Sequence, residues 1–139
     1  TAKLSEGILA ATMWDPAVGK SIPWIKAEND RHMARFGVPM TEDSASYYQS
    51  FQVIVDAIER AKTTSPKELR DAIAATNITD PNQKTMMYPF KQLRFDETGQ
   101  NPFATAMIVQ IQSGTYRLVY PDHVAEPDVK VIWPYPLSK

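Results

Sequence analysis

The sequence predicts an α/β fold, and three stretches carry that prediction. Gly7 to Trp14, GILAATMW, is a short apolar run without polar alternation, the pattern of a strand covered on both faces in a parallel sheet. Thr41 to Lys62, TEDSASYYQSFQVIVDAIERAK, is the longest helical pattern in the chain and contains neither Gly nor Pro. Ala104 to Gln112 and Thr115 to Tyr120 are β-rich runs divided by Ser113 and Gly114, which predicts an antiparallel hairpin.

At 139 residues the chain has the size of one ordinary domain and can bury a sizeable core, although it need not be a complete protein. Lys plus Arg is 15 and Asp plus Glu is 16, giving a formal net charge of −1, so nothing is built to track a phosphate backbone and no nucleic-acid partner is expected. The absence of cysteine excludes a disulfide framework and a thiolate metal site. No apolar run approaches the length of a membrane span. The chain begins at Thr1 without an initiator Met or a charged-then-apolar leader, so the expectation is a mature processed form or a fragment.

In chain order, the first strand is followed by Asp15 to Gly19, DPAVG, a turn or loop. Ser21 with Pro23 starts a helix that Gly37 and Pro39 stop; Trp24, Ile25, His32 and Phe36 fall near one side, and Glu28, Asp30, Arg31 and Arg35 are expected mostly in solvent. In the long helix, Tyr48, Phe51, Val55 and Ile58 form one apolar stripe, and Val53, Ile54 and Ala57 widen it, so burial is expected. Thr41 is its candidate N-cap, Glu42 and Asp43 complement the dipole at its start, and Arg60 and Lys62 at its end. Its mouth, Ser44 to Tyr48, sets small hydroxyls beside two phenols, which suits either a polar cleft or ordinary packing with the hydroxyls satisfied locally. Ser65, Pro66 and Glu68 read as a capping box opening the helix SPKELRDAIAAT. The polar segment DPNQKTMMYP that follows reads as a long surface or lid-like loop, with Met86 and Met87 as gap fillers. Gln92 to Phe95 is a short strand, ended by a turn from Asp96 to Gly99 that lacks the ligand spacing of a calcium loop. Beyond Pro121 the prolines at 127, 134 and 136, with Trp133 and Tyr135 between them, predict an extended tail laid over a surface.

A catalytic reading finds no constellation. His32 and His123 lie on separate elements without further ligands at metal spacing, so no metal is expected. There is no GxSxG elbow and no phosphate loop, and five scattered glycines are too few to make one. Asp15, Asp43, Asp56 and Asp96 belong to different elements and read as caps, turns or solvated positions instead of an acid/base pair. Binding is the function class that remains.

The order of these pieces closely resembles a known family. A strand ending in MW with DP after it, a helix closing on FG, SASYYQSFQVIVDAIERA, the helix PKELRDAIAAT, the turn FDETGQN and the closing hairpin QIQSGTYRLVYP together resemble the C-terminal part of the branched-chain-amino-acid-type (type I) periplasmic solute-binding proteins of ABC importers. The resemblance implies part of a two-lobe fold, parallel sheets flanked by helices with a terminal antiparallel hairpin, in which ligand is trapped as the lobes close. Residues 1–14 would be a strand and hinge crossover, 15–90 the helical part of the N-terminal-type lobe, and 91–139 the return crossover, hairpin and proline-rich tail.

By the same resemblance, Tyr48 matches a tyrosine that lines the cleft in relatives. Met13 and Trp14 stand at the C-terminal end of the first strand, where open α/β sheets place ligands. Trp14 replaces a smaller residue of many relatives, which points to an aromatic wall and a ligand other than leucine. Ser44, Ser46 and Tyr47 are further candidates, and Tyr47 also reads as a packing residue. The strands that supply the family's contacts to the ligand carboxylate are absent, as is the acid that meets an ammonium group. The implied function is non-catalytic capture of a small carboxylate-bearing solute, a branched-chain amino acid or an aromatic acid, for a membrane permease. The implied location is periplasmic, or extracellular and lipid-anchored in a Gram-positive organism. No cofactor is implied, and the open sheet edges would be paired by the remainder of the same protein or by a second copy. The same fold also serves as the ligand-sensing domain of receptors and regulators.

Overall fold

Residues 5–136 are described in a computed structural model. The elements in chain order are β1 (Leu9–Thr12), a 3-10 turn (Pro16–Lys20), α1 (Pro23–Phe36), α2 (Glu42–Ala61), α3 (Pro66–Ala74), β2 (Asn77–Ile78), β3 (Leu93–Arg94), β4 (Met107–Gln112) and β5 (Thr115–Tyr120). The chain is thus a mixture of helix and strand, and it divides into two compact units. One unit comprises residues up to Glu42 together with those from Ala106 onward; the other comprises Asp43–Thr105.

The first unit is built on a three-stranded sheet of order β1-β4-β5. Both ladders are antiparallel, with Leu9 opposite Gln110, Thr12 opposite Met107 and Val109 opposite Leu118. The expected parallel pairing of the first strand is therefore not among the described ladders. Among the described residues β1 lies at an edge of the sheet, paired with β4, and Ile8 and Leu9 keep 51% and 44% of their surface exposed, so the doubly covered strand read from GILAATMW is covered less than its composition suggests.

The hairpin from β4 to β5 turns on Ser113 and Gly114, both at positive φ, 53° and 73°, as the right-handed strand twist favours in a two-residue connection. Glu6 helps hold the serine in that unusual conformation, because its carboxylate accepts the N–H of Ser113 at 2.9 Å and also that of Gly114. The tail crosses back as expected of a segment that cannot extend the sheet. Gln110, fully buried on β4, donates to the Ile132 carbonyl at 3.1 Å and accepts the Ile132 N–H at 2.9 Å, while Gln112 donates to the Lys130 carbonyl at 2.8 Å.

Helix α1 starts on Pro23 and ends where Gly37 takes φ 75°, matching the local signals. Its inward side differs from the expected one. Ile25 and Glu28 are buried, Glu28 satisfied by Arg31 at 2.8 Å, whereas Phe36 stays 59% exposed with its ring against His32 and Arg35. A carboxylate can go under when an arginine one turn on neutralises it, a pairing that composition alone does not separate from two solvated charges. The expected loop at DPAVG tightens into the 3-10 turn, capped by the Asp15 carboxylate accepting the Ala17 N–H at 2.8 Å.

In the second unit, α2, α3 and the short antiparallel pair β2–β3 enclose a small core in which Val53, Ile78, Met86 and Leu93 are packed on by Ile73, Phe90 and Phe95. Helix α2 has almost the expected bounds but buries a different face. Its buried residues are Ala45, Val53 and Ala57, while Phe51 and Ile54 are exposed and Tyr48, Val55 and Ile58 half-covered. The line 45–49–53–57 repeats every fourth residue, and its two alanines let neighbouring segments approach closely. Gln49, on the same line, accepts the Tyr88 N–H at 2.9 Å.

That hydrogen bond also overturns the lid reading of the following segment. Thr85 to Pro89 are buried, so only the first half of the expected surface loop lies on the surface. Helix α3 starts at Pro66 as expected, yet Ser65 makes no side-chain cap; its hydroxyl donates to the Glu68 carboxylate instead. Arg60 secures α2 to the end of α3 through the Ala72 carbonyl at 2.9 Å and the Thr76 hydroxyl at 3.1 Å.

Candidate functional site

The residues singled out by sequence fall into two groups, one in each unit. Met13 and Trp14 follow β1 in the first; Ser44, Ser46, Tyr47 and Tyr48 ride on α2 in the second.

The first group is organised by Thr12 and Glu42. The Glu42 carboxylate accepts the Thr12 hydroxyl at 2.8 Å and the Met13 N–H at 2.9 Å through the same oxygen. The Thr12 hydroxyl also lies 2.8 Å from the Trp14 carbonyl and 3.3 Å from the Trp14 N–H, so a single side chain receives or offers hydrogen bonds on both sides of Met13. A hydroxyl has one proton for two acceptors, and the ionised carboxylate is the stronger. The Met13 N–H and the Thr12 hydroxyl hold the Glu42 carboxyl below the usual range. Within this turn Trp14 is buried, at 2% exposure, and Met13 is 37% exposed.

On α2, successive residues point about 100° apart, so Ser46, Tyr47 and Tyr48 cannot all face one surface. Ser44 and Tyr48, four residues apart, share a side and are both half-covered. Ser46 is exposed, and Tyr47 lies at 78% exposure on the open side with Phe51. Tyr48 is thus the phenol held partly within its unit, and Tyr47 the one held out.

Of the open hollows among the described residues, two bear on these elements. One of about 240 Å³ beside β1 is lined by Ala10, Ala11, Thr12, Asp15, Val109 and Tyr116. Burial pushes the Asp15 carboxyl up, against the Ala17 N–H that lowers it. The other, about 420 Å³ in the second unit, is mainly apolar, with Ile54, Ile73, Phe90 and Phe95 in its wall and Gln49 and Asn101 as polar members. None of Met13, Trp14, Ser46, Tyr47 or Tyr48 lines either hollow.

Among the described residues no three of His, Cys, Asp and Glu converge as a metal site would require, and His32 meets the Val38 carbonyl at 3.0 Å. No described helix is long and apolar enough to cross a membrane. Thr12 and Glu42 escaped the sequence reading. Glu42 had a sufficient local explanation as an acid in the first turn of a helix, and nothing local points across the 30 residues that separate it from Thr12.

No family model matches the chain. Among curated proteins it is similar to the Leu/Ile/Val-binding protein homolog 7 of Brucella melitensis and to that of Brucella suis, each 27% identical over 110 residues that make up 78% of this chain. The aligned part is 27% of either relative, so the chain spans little more than a quarter of the length of the curated proteins it matches.

Proposed function

We propose that this chain is part of the extracytoplasmic solute-binding component of an ABC-type importer. It acts without catalysis and without a cofactor, capturing a small carboxylate-bearing solute, a branched-chain amino acid or an aromatic acid, between two lobes and delivering it to a membrane permease. A periplasmic location goes with that role. The likeness over 78% of the chain to proteins named for binding Leu, Ile and Val carries the proposal. It is supported by motifs that occur in the family's order, from the MW-DP strand end through the Tyr48 helix to the closing hairpin.

Closure would be the mechanism: a solute that prefers the closed arrangement shifts the population toward it by its difference in affinity for the two states. In this reading the residues to test are Tyr48, which offers a hydroxyl, with Ser46 and Tyr47 on α2, and, after β1, Met13 and Trp14. The test is thermal unfolding of the intact protein against a panel of branched-chain amino acids, aromatic amino acids and aromatic carboxylates. A true ligand at a hundred times its dissociation constant adds about 2.7 kcal/mol. A panel without any shift contradicts the proposal.

A further inference from the structure

We infer that Glu42 is a positioning residue whose carboxylate, through Thr12 and the Met13 amide, locks the turn that carries Met13 and Trp14; its link to ligand binding rests on the function proposed above. The chain leaves β1 at Thr12, runs through the 3-10 turn and α1, and returns at Glu42, the first residue of α2. One carboxylate oxygen closes that excursion, accepting from Thr12 at 2.8 Å and from Met13 at 2.9 Å. The Thr12 hydroxyl in turn reaches Trp14, so the carboxylate, the hydroxyl and the backbone of two consecutive residues, Met13 and Trp14, form one connected set.

Glu42 is the last residue of the first unit, and the second begins at Asp43. The Glu42 side chain is therefore tied to the end of β1 within the first unit. Two bonds to one carboxylate fix a turn better than either alone, because each limits the rotamers open to the other. Glutamate suits the position: it accepts twice and bears no proton of its own at neutral pH, whereas a glutamine carbonyl accepts in the same place without the charge that strengthens both bonds.

Three variants of the intact protein test this: Glu42→Ala, Glu42→Gln and Thr12→Val. Amide hydrogen exchange at Met13 and Trp14 is read beside exchange in α1 and β4, and Trp14 fluorescence is read in a background where Trp24 and Trp133 are Phe. We expect exchange at Met13 about tenfold faster in Glu42→Ala, a smaller rise in Glu42→Gln, a Trp14 emission shift in both Ala and Val variants, and unchanged exchange in α1 and β4. Unchanged exchange at Met13 in Glu42→Ala overturns the assignment, as does a rise spread evenly through the whole unit. L-Leucine, L-phenylalanine and benzoate are then titrated into the wild type and the variants. Weaker binding of whichever solute the wild type takes ties the lock to the site, and equal affinity refutes that link. A wild type that takes none of them contradicts the function proposed above while leaving the exchange result to decide the role of Glu42.

Discussion

Glu126 offers the sharpest test of the energetics of the first unit. Its side chain is almost fully buried in the tail segment after β5, at 4% exposure. One oxygen receives Arg117 through Nε at 2.9 Å and Nη2 at 2.7 Å together with the Lys20 ammonium, and the other accepts the Leu118 N–H at 3.1 Å. Burial alone would push this carboxyl up; Arg117, Lys20 and the Leu118 amide outweigh it and hold the group at about 2 instead of 4.5. A carboxyl lowered by folding contributes stability that is complete above its unfolded value and is lost as the pH falls through the folded one. The window is therefore pH 4.5 down to about 2.

The span between those values corresponds to about 3 kcal/mol. Solvent screening reduces it, since the Lys20 and Arg117 side chains are 54% and 37% exposed, and we expect about 2 kcal/mol in practice. The assay is urea unfolding followed by tryptophan fluorescence, which reports the first unit alone because Trp14, Trp24 and Trp133 all belong to it. Glu126→Ala should cost about 2–4 kcal/mol at pH 7, less than for a fully enclosed pair because both cations can turn to water. Between pH 5 and pH 2.5 the variant should lose about 2 kcal/mol less than the wild type. Other carboxylates titrate in the same range, so the difference between the two proteins is the informative quantity. An acid limb of equal depth in both would refute the reasoning.

Asp15 should behave with the opposite sign: burial raises its carboxyl, so its ionisation weakens the fold, and Asp15→Asn, which keeps an acceptor for the Ala17 N–H, should hold or gain stability at pH 7 in the same urea assay. Gln110→Leu, nearly equal in volume, removes the partners of the Gly7 and Ile132 carbonyls and of the Ile132 N–H. It should cost about 2–4 kcal/mol, with faster amide exchange at Ile132 as the specific readout. Gly7 adopts φ +81° and a Cβ there would lie 2.5 Å from the Tyr135 ring, so Gly7→Ala should cost at least about 1–2 kcal/mol. Adding Tyr135→Ala should recover only the part due to the collision, because the backbone strain stays.

What was legible in the sequence follows the range of the interactions that determine it. Pro23 and Gly37 bound α1, Pro66 opens α3, and Ser113–Gly114 turns the hairpin through preferences of one or two residues, and these features read correctly. Facing was less legible. A hydrophobic stripe favours the largest side chains, yet α2 buries the narrow line of Ala45, Val53 and Ala57 and leaves Phe51 outside. The segment from Asp80 to Pro89 reads as a polar loop as a whole, but Val53, Ile78 and Leu93 make a core for Met86 that local composition does not contain. The direction of β1 depends on a partner some hundred residues away, Thr12 meeting Met107, and no local pattern specifies it. The candidate ligand residues came from resemblance, whereas the Glu42 tie to Thr12 and Met13 needed coordinates.

The most direct measurement of the central claim is the affinity of the intact protein for its selected solute in wild type and in Tyr48→Phe, with the melting temperature of each recorded alongside. Removing one hydroxyl should weaken binding by about 0.5–1.5 kcal/mol, roughly two- to twelvefold, while the melting temperatures stay close together. Equal affinities would make Tyr48 a packing residue of α2 and contradict the solute-binding role assigned to it.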